Sequence, residues 1–334
     1  MADRFLELSA EDRRDALEVA SGASGRPIYL LEKDVWVVWA LETLFGGSLG
    51  SALVFKGGTS LSKAYGAIRR FSEDVDLTYD IKAIAPELLT SPDWLPKTRS
   101  QADKWSKEIR EHRLPEWVQH KAFPEVESAL KSRGLPAHAR ADKDMVYIEY
   151  DPLDSGSSYV SPAVKLEFGA RSDGQPCATQ GISCDAAKYV PKLVFPSASP
   201  RVMAIERTFW EKATAIHVFC VQKKVPERTA RHWYDLASLY EAGHVAAAIR
   251  ARAVARRVAT EKNRFFRERD ANGVVIDYCA AVEGNLQLVP TEDAFGQLSE
   301  DYQKMIDGGL LLNNDVSFER LVELCCLIEQ KANE

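Results

Sequence analysis

Asp74-Val75-Asp76-Leu77-Thr78-Tyr79 alternates polar with apolar or aromatic residues, the period of a half-buried strand. On such a strand Asp74 and Asp76 project to one side, while Val75 and Leu77 face a core. Two neighbouring carboxylates with no base between them repel each other, and a hard divalent cation such as Mg²⁺ relieves that repulsion and also bridges phosphate oxygens. Upstream, Lys56-Gly57-Gly58-Thr59 follows the short apolar run Ala52-Leu-Val-Phe55. A Gly-Gly turn between a strand and a helix offers backbone N–H groups to phosphate, and its lack of side chains permits close approach. An Asp-x-Asp pair by itself is a weak signal, since most such pairs are solvated; the strand and Gly-Gly turn before it strengthen the metal reading.

These residues need elements to hold them. Ser9-Ala-Glu-Asp reads as a capped helix start, and Leu30 to Phe45 as an apolar helix closed by Gly46-Gly47. Ala52 to Phe55 is expected as a buried strand, Leu61 to Tyr65 as a short helix and Asp74 to Tyr79 as the carboxylate strand. Charged and aromatic residues at helical spacing from Ser91 to Arg140, among them Trp105, Ile109, His112 and Val118, predict a helical insertion. Strand-like alternation returns over Met145 to Tyr150 and Ala163 to Phe168, separated by the Ser/Gly/Asp/Pro-rich loop Asp151 to Ser161. The Pro/Ser-rich stretch Pro191 to Pro200 marks a domain boundary. Beyond it, helices are expected near Val202 to Phe219, Thr229 to Glu241, Ala246 to Arg257 and Phe318 to Lys331. The expected domains are thus 1–198, an α/β lobe with the insertion at about 91–140, and 199–334, a helical lobe.

Composition supports that plan. The 334 residues are 46% hydrophobic and carry 43 Lys and Arg against 49 Asp and Glu, which excludes both global disorder and a uniformly basic nucleic-acid binder. The longest apolar run, Val35 to Phe45, contains Glu42 and falls short of the roughly 18 to 20 residues that span a bilayer. With an acidic N-terminus, no signal-peptide core and no membrane segment, the chain is expected in the cytoplasm. The six cysteines include no C-x-x-C pair, so buried free thiols are expected instead of a zinc knuckle or redox site.

The string Phe55-Lys56-Gly57-Gly58-Thr59-Ser60-Leu61 followed by Arg70-Phe71-Ser72-Glu73-Asp74-Val75-Asp76-Leu77 resembles the signature of the AbiEii/AbiGii-type (MenT-like) nucleotidyltransferase toxins of type IV toxin–antitoxin and phage-defence systems. Leu31-Glu32-Lys33-Asp34 is similar to that family's N-terminal segment. Ile205-Glu206-Arg207-Thr208-Phe209-Trp210-Glu211-Lys212 and Arg231-His232-Trp233-Tyr234-Asp235-Leu236 resemble its Glu-Lys helix and its Arg-Asp-x-x-Asp helix. The resemblance runs from about residue 25 to 240, with four motifs in order. It implies an α+β fold: a DNA polymerase β-like nucleotidyltransferase core of mixed sheet and flanking helices, with a C-terminal helical domain. It further implies Mg²⁺ on Asp74 and Asp76, and a nucleoside triphosphate as substrate. Lys56, Gly57, Gly58, Thr59 and Ser72 would lie beside its phosphates, Lys212 would be a cation for the triphosphate, and Asp235 would fix Lys212 or the nucleotide. Glu167 matches the position of a third carboxylate, as metal ligand or as base. The sequence departs from the pattern at His232, where the family has the first aspartate of its last motif.

Each residue also has a plainer reading. Lys212 fits a solvent-facing helical lysine, Glu211 a local partner of Arg207, Glu167 the polar face of a strand, Ser72 a turn hydroxyl, and His217 and His232 packed rings. The acceptor is suggested by residues 201–270, which hold 15 Lys and Arg against 8 Asp and Glu, with Phe265 and Phe266 among them. A basic, aromatic surface suits a phosphate backbone and stacked bases; it equally suits a solvated helix face or an acidic partner. The resemblance favours RNA, specifically the tRNA 3′ end, with a cognate antitoxin as a second partner and no DNA. Two other functions stay open: an enzyme of this fold modifying a protein or small-molecule hydroxyl, and a catalytically inactive NTP-binding interaction module.

Overall fold

The computed structural model describes residues 3–72, 74–89, 94–154, 160–311 and 316–334. Three sequence expectations fall partly outside them: Glu73 of the carboxylate motif, residues 91–93 of the helical stretch, and 155–159 of the Ser/Gly-rich loop. The chain divides into two compact units, one of residues 1–64, 70–86 and 107–202, the other of residues 65–69, 87–106 and 203–334.

The first unit is built on a mixed sheet. Its strands are β1 (Leu53–Lys56), β2 (Asp74–Tyr79), β3 (Ala137–Asp142), β4 (Met145–Tyr150), β5 (Ala163–Gly169), β6 (Cys177–Thr179) and, after the small β7 (Ile182–Ser183) and β8 (Ser197–Ala198) pair, β9 (Arg201–Met203). The order across the seven-stranded sheet is β3-β4-β5-β2-β1-β9-β6. β2 runs antiparallel to β1 and parallel to β5. Strand alternation gives the sheet two unlike faces. Val75, Leu77, Val164, Leu166, Phe168, Val146 and Ile148 are buried on one, which is the core face.

That core face meets α2 (Ile28–Gly46), which follows α1 (Ala10–Ser24) and is the helix expected from Leu30 to Phe45, and the helical stretch that contains Trp117. Trp36 of α2 stacks on Tyr150 of β4 at 5.5 Å, and Trp117 meets Tyr79 and Phe168. Removing one such ring from water is worth about 2–3 kcal/mol, so these contacts fix how the sheet is covered. α2 is buried even at Glu32, Lys33 and Asp34. Its charges are therefore compensated inside: the Asp34 carboxylate pairs with Lys63 at 2.7 Å and accepts from the Asp185 backbone N–H, while Lys33 donates to the Ser161 carbonyl.

Two local expectations need correction. The tail of the stretch read as helical is strand β3, because Ala137-His-Ala-Arg-Ala-Asp142 alternates with period two and pairs antiparallel with β4. The helix expected from Ala246 to Arg257 is two helices, Val245–Arg250 and Arg252–Phe265, interrupted where Ala251 leaves helical geometry at ψ 53°. The second unit is otherwise helical, with Ile205–Gln222, Ala230–Glu241 and Phe318–Asn333 close to their expected bounds and Glu292–Asp307 in addition. Among the described residues no helix is long and apolar enough to cross a membrane, and all six cysteines are free thiols.

Candidate active site

β1 ends at Lys56, and the chain turns at once into α3 (Gly57–Lys63). Gly57 has φ 77°, a left-handed conformation that side chains disfavour, and a Cβ there would overlap the Asp76 carboxylate. A Cβ on Gly58 would overlap the Arg70 guanidinium and press on the Ser72 hydroxyl. The two glycines thus let the backbone lie directly against Asp76, Arg70 and Ser72. Thr59 fixes the approach from the other side: its hydroxyl donates to the carbonyls of Ser72 and Asp74. Ser60 donates back to the Gly57 carbonyl at 2.9 Å, closing the turn.

Asp74 and Asp76 share the polar face of β2 and are half-buried, as their spacing predicts. The parallel register sets Asp74 opposite Lys165 and Asp76 opposite Glu167, and the antiparallel register sets Lys56 opposite Asp76. Lys56, Gly57, Gly58, Thr59, Ser72, Asp74, Asp76 and Glu167 therefore converge within the first unit. The Lys165 ammonium reaches both neighbours, 3.3 Å from Asp74 Oδ1 and 3.2 Å from Glu167 Oε2. Partial burial disfavours this ammonium, but Asp74 and Glu167 outweigh it and hold the Lys165 pKa above its ordinary value. Among the described residues, no three His, Cys, Asp or Glu side chains are gathered closely enough to hold a metal together. Glu167 pairs with Lys165 on this face, and Asp74 and Asp76 are carboxylates suited to a hard cation, with the Gly57 backbone against Asp76.

Arg70 and Lys165 were not singled out from sequence. For Lys165 the signal was present, since Lys165 and Glu167 are two apart on a strand, the same period that unites Asp74 and Asp76. For Arg70 only its place in the motif marked it.

Lys212 and Asp235 lie in the second unit, where they bond to each other at 2.7 Å, and both are buried. Lys212 is thus not the solvent-facing lysine of the plainer reading. Arg207 is likewise buried, pairing with Glu211 four residues on and with Glu261 of the Arg252–Phe265 helix. His217 is packed: its Nδ1 accepts from the Gln287 backbone N–H, and burial, with help from Lys262, lowers its pKa to about 4. The His232 ring stands 5.9 Å from Phe219.

The basic run is partly consumed by the fold. Arg252 donates to the carbonyls of Val282 and Ala332, Arg256 pairs with Glu283, Arg257 with Glu261, and Lys262 donates to the Glu211 carbonyl. Arg250 is exposed, and Arg264 and Arg267 are half-exposed.

The chain is similar to solved structures over nearly its whole length. It resembles the solved nucleotidyltransferase toxin MenT4 of Mycobacterium tuberculosis H37Rv at 16% identity over 97% of this chain and 98% of that one, with a TM-score of 0.42. JHP933 from Helicobacter pylori is 17% identical over 90% of both chains, with a TM-score of 0.38. No curated protein matches the sequence. Residues 39–324 match the family described as nucleotidyl transferase AbiEii toxin, type IV TA system, a span that holds both the Asp74/Asp76 strand and the Lys212/Asp235 pair. The chain belongs to this family of nucleotidyltransferase toxins of type IV toxin–antitoxin systems.

Proposed function

We propose that the protein transfers a nucleoside monophosphate from an NTP to a hydroxyl of RNA, at the tRNA 3′ end, in the cytoplasm, and that a cognate antitoxin restrains it. The observation that carries this reading is the placement of Asp74 and Asp76 on one strand face with the Gly57 backbone against Asp76. In this reading Asp74 and Asp76 hold Mg²⁺, which when bound neutralises charge on the triphosphate. Lys56, Gly57, Gly58, Thr59 and Ser72 line the phosphates, with Thr59 keeping Ser72 and Asp74 in place. The acceptor oxygen forms a bond to the α-phosphorus as the bond to pyrophosphate breaks, and the hydroxyl proton passes to solvent water. Within the second unit, Asp235 holds Lys212 as a buried ammonium. The remaining work is positioning and charge neutralisation. Glu167, tied to Lys165 and half-exposed, serves the carboxylate face from its edge.

The experiment incubates purified protein with total tRNA, Mg²⁺ and each labelled NTP in turn. Label on tRNA from one NTP, lost in Asp76→Ala with the melting transition retained, is the expected result; undiminished transfer by that variant removes the assignment. The consumption of Arg252, Arg256, Arg257 and Lys262 by the fold favours a second reading, a protein or small-molecule hydroxyl as acceptor. Label on protein with none on tRNA selects it, and no label on any acceptor selects the inactive binding module.

A further inference from the structure

Two carboxylates on the polar face of the sheet share one counter-cation. Lys165 lies between Asp74 on β2 and Glu167 on β5, bonded to one oxygen of each, because the parallel register sets Lys165 beside Asp74 and Glu167 beside Asp76. The ammonium is 29% exposed, Asp74 18% and Glu167 48%, so these pairs are only partly screened by water. A single positive charge on a short bridge of this kind does for the carboxylates what a divalent ion would do: it cancels their mutual repulsion. It cannot do so while a second cation coordinates the same oxygens, since like charges at that separation repel strongly.

We propose that Lys165 and the divalent cation are alternative partners for this carboxylate face, so that metal binding is an exchange in which Lys165 gives up Asp74 and Glu167. The inference rests on the reading of Asp74 and Asp76 as metal holders. Lys165 is a positioning residue in this scheme: it offsets part of the negative charge of the carboxylate face and orders it, and it makes the metal affinity of the chain alone weaker than its carboxylates would otherwise give. Released from Asp74 and Glu167, the ammonium stands beside the face on which the triphosphate is proposed to lie, where phosphate oxygens replace the carboxylates as its partners. Metal and nucleotide therefore favour each other's binding through Lys165, and by linkage the effect is equal in both directions.

The test measures Mn²⁺ binding to the full-length protein without nucleotide, by calorimetry or electron paramagnetic resonance. Lys165→Met and Lys165→Gln are expected to bind Mn²⁺ roughly five- to tenfold more tightly than wild type, because two partly buried ion pairs no longer have to be broken. Lys165→Arg is expected to stay near wild type. Unchanged or weaker binding in folded Lys165→Met and Lys165→Gln overturns the proposal. A second measurement needs no charge-removing variant: the side-chain ammonium resonance of Lys165 in ¹⁵N-lysine-labelled wild type, assigned by its loss in Lys165→Arg, is expected to shift as Mg²⁺ saturates the site. Saturation with that resonance unmoved also overturns it. Asp76→Ala separates the two levels of the argument. If it binds Mn²⁺ as wild type does, the carboxylates are not the metal site; if it loses Mn²⁺ while Lys165→Met and Lys165→Gln gain nothing, only the exchange is wrong.

Discussion

The ammonium of Lys212 lies 2.7 Å from a carboxylate oxygen of Asp235, with the Lys212 side chain 9% exposed and that of Asp235 fully buried. One group comes from the Ile205–Gln222 helix and the other from Ala230–Glu241, so the pair ties two helices as well as two charges. Removing either partner alone breaks this buried ion pair, a cost of about 3–5 kcal/mol, whereas replacing both by apolar side chains of similar size costs less. Lys212→Met and Asp235→Leu are each expected to lower the unfolding midpoint in urea strongly. The double variant should recover most of the loss in stability and none of the loss in nucleotide transfer. Equal stability losses in single and double variants would argue against this account.

Gly57→Ala should damage the site more than the fold. Its backbone is left-handed and its Cβ would enter the space of the Asp76 carboxylate. Gly25 is a built-in control: its φ is 73°, yet a Cβ there meets nothing within 4 Å. Both alanine variants are expected to lose about 1 kcal/mol from backbone strain. Only Gly57→Ala should also lose transfer activity, by a hundredfold or so if Asp76 is displaced by an ångström. Parallel melting curves and initial rates decide it.

Acid should destabilise the second unit through His217. Its pKa is lowered to about 4 in the fold, against about 6.5 in an unfolded chain, so the neutral ring is the folded form. Its contribution is complete above pH 6.5 and is lost as pH falls towards 4, by about 1.4 kcal/mol per unit and on the order of 3 kcal/mol in all. His217→Gln keeps an acceptor for the Gln287 N–H and removes the titration. Denaturant unfolding at pH 7.5 and 4.5 should show a smaller acid penalty in this variant than in wild type.

If tRNA is the acceptor, the cations of residues 250–267 divide into two classes. Arg250→Glu, Arg264→Glu and Arg267→Glu are expected to weaken tRNA binding and to reduce its salt dependence, each lowering the slope of log K against log salt by about 1. Arg252→Ala should instead lower the melting temperature, because Arg252 holds the Val282 and Ala332 carbonyls. Filter binding at several salt concentrations, paired with melts, tests the division.

How much of this was legible beforehand depended on how local each feature is. The shared face of Asp74 and Asp76 follows from strand alternation alone, and the sequence motifs that bracket it led to the right family. The fit of Gly57 to Asp76 depends on the register that sets Lys56 opposite Asp76, which no local pattern encodes. Lys165 was passed over because it reads as one polar position of β5, and only the pairing of β5 with β2 turns it into a neighbour of Asp74. The start of strand β3 lies in the stretch whose charged and aromatic spacing predicts helix, and its antiparallel pairing with β4 decides otherwise. The basic run counted correctly as charge, but sequence could not show which arginines are spent on carbonyls and carboxylates within the fold.

The place of β2 in the sheet, between β1 and β5, has a consequence for the timing of toxicity. β1 and β2 are adjacent in the chain and form an antiparallel pair from local sequence, but β5 is made only after the long helical stretch and the β3–β4 hairpin. Until residues 163–169 have left the ribosome, Asp74 and Asp76 sit on an unpaired sheet edge, without the parallel strand that aligns them. Such a non-local, parallel pairing is among the slower steps of folding. A chain that ends before residue 163 lacks the strand that aligns Asp74 and Asp76, so the activity proposed for this face has to wait until β5 is made.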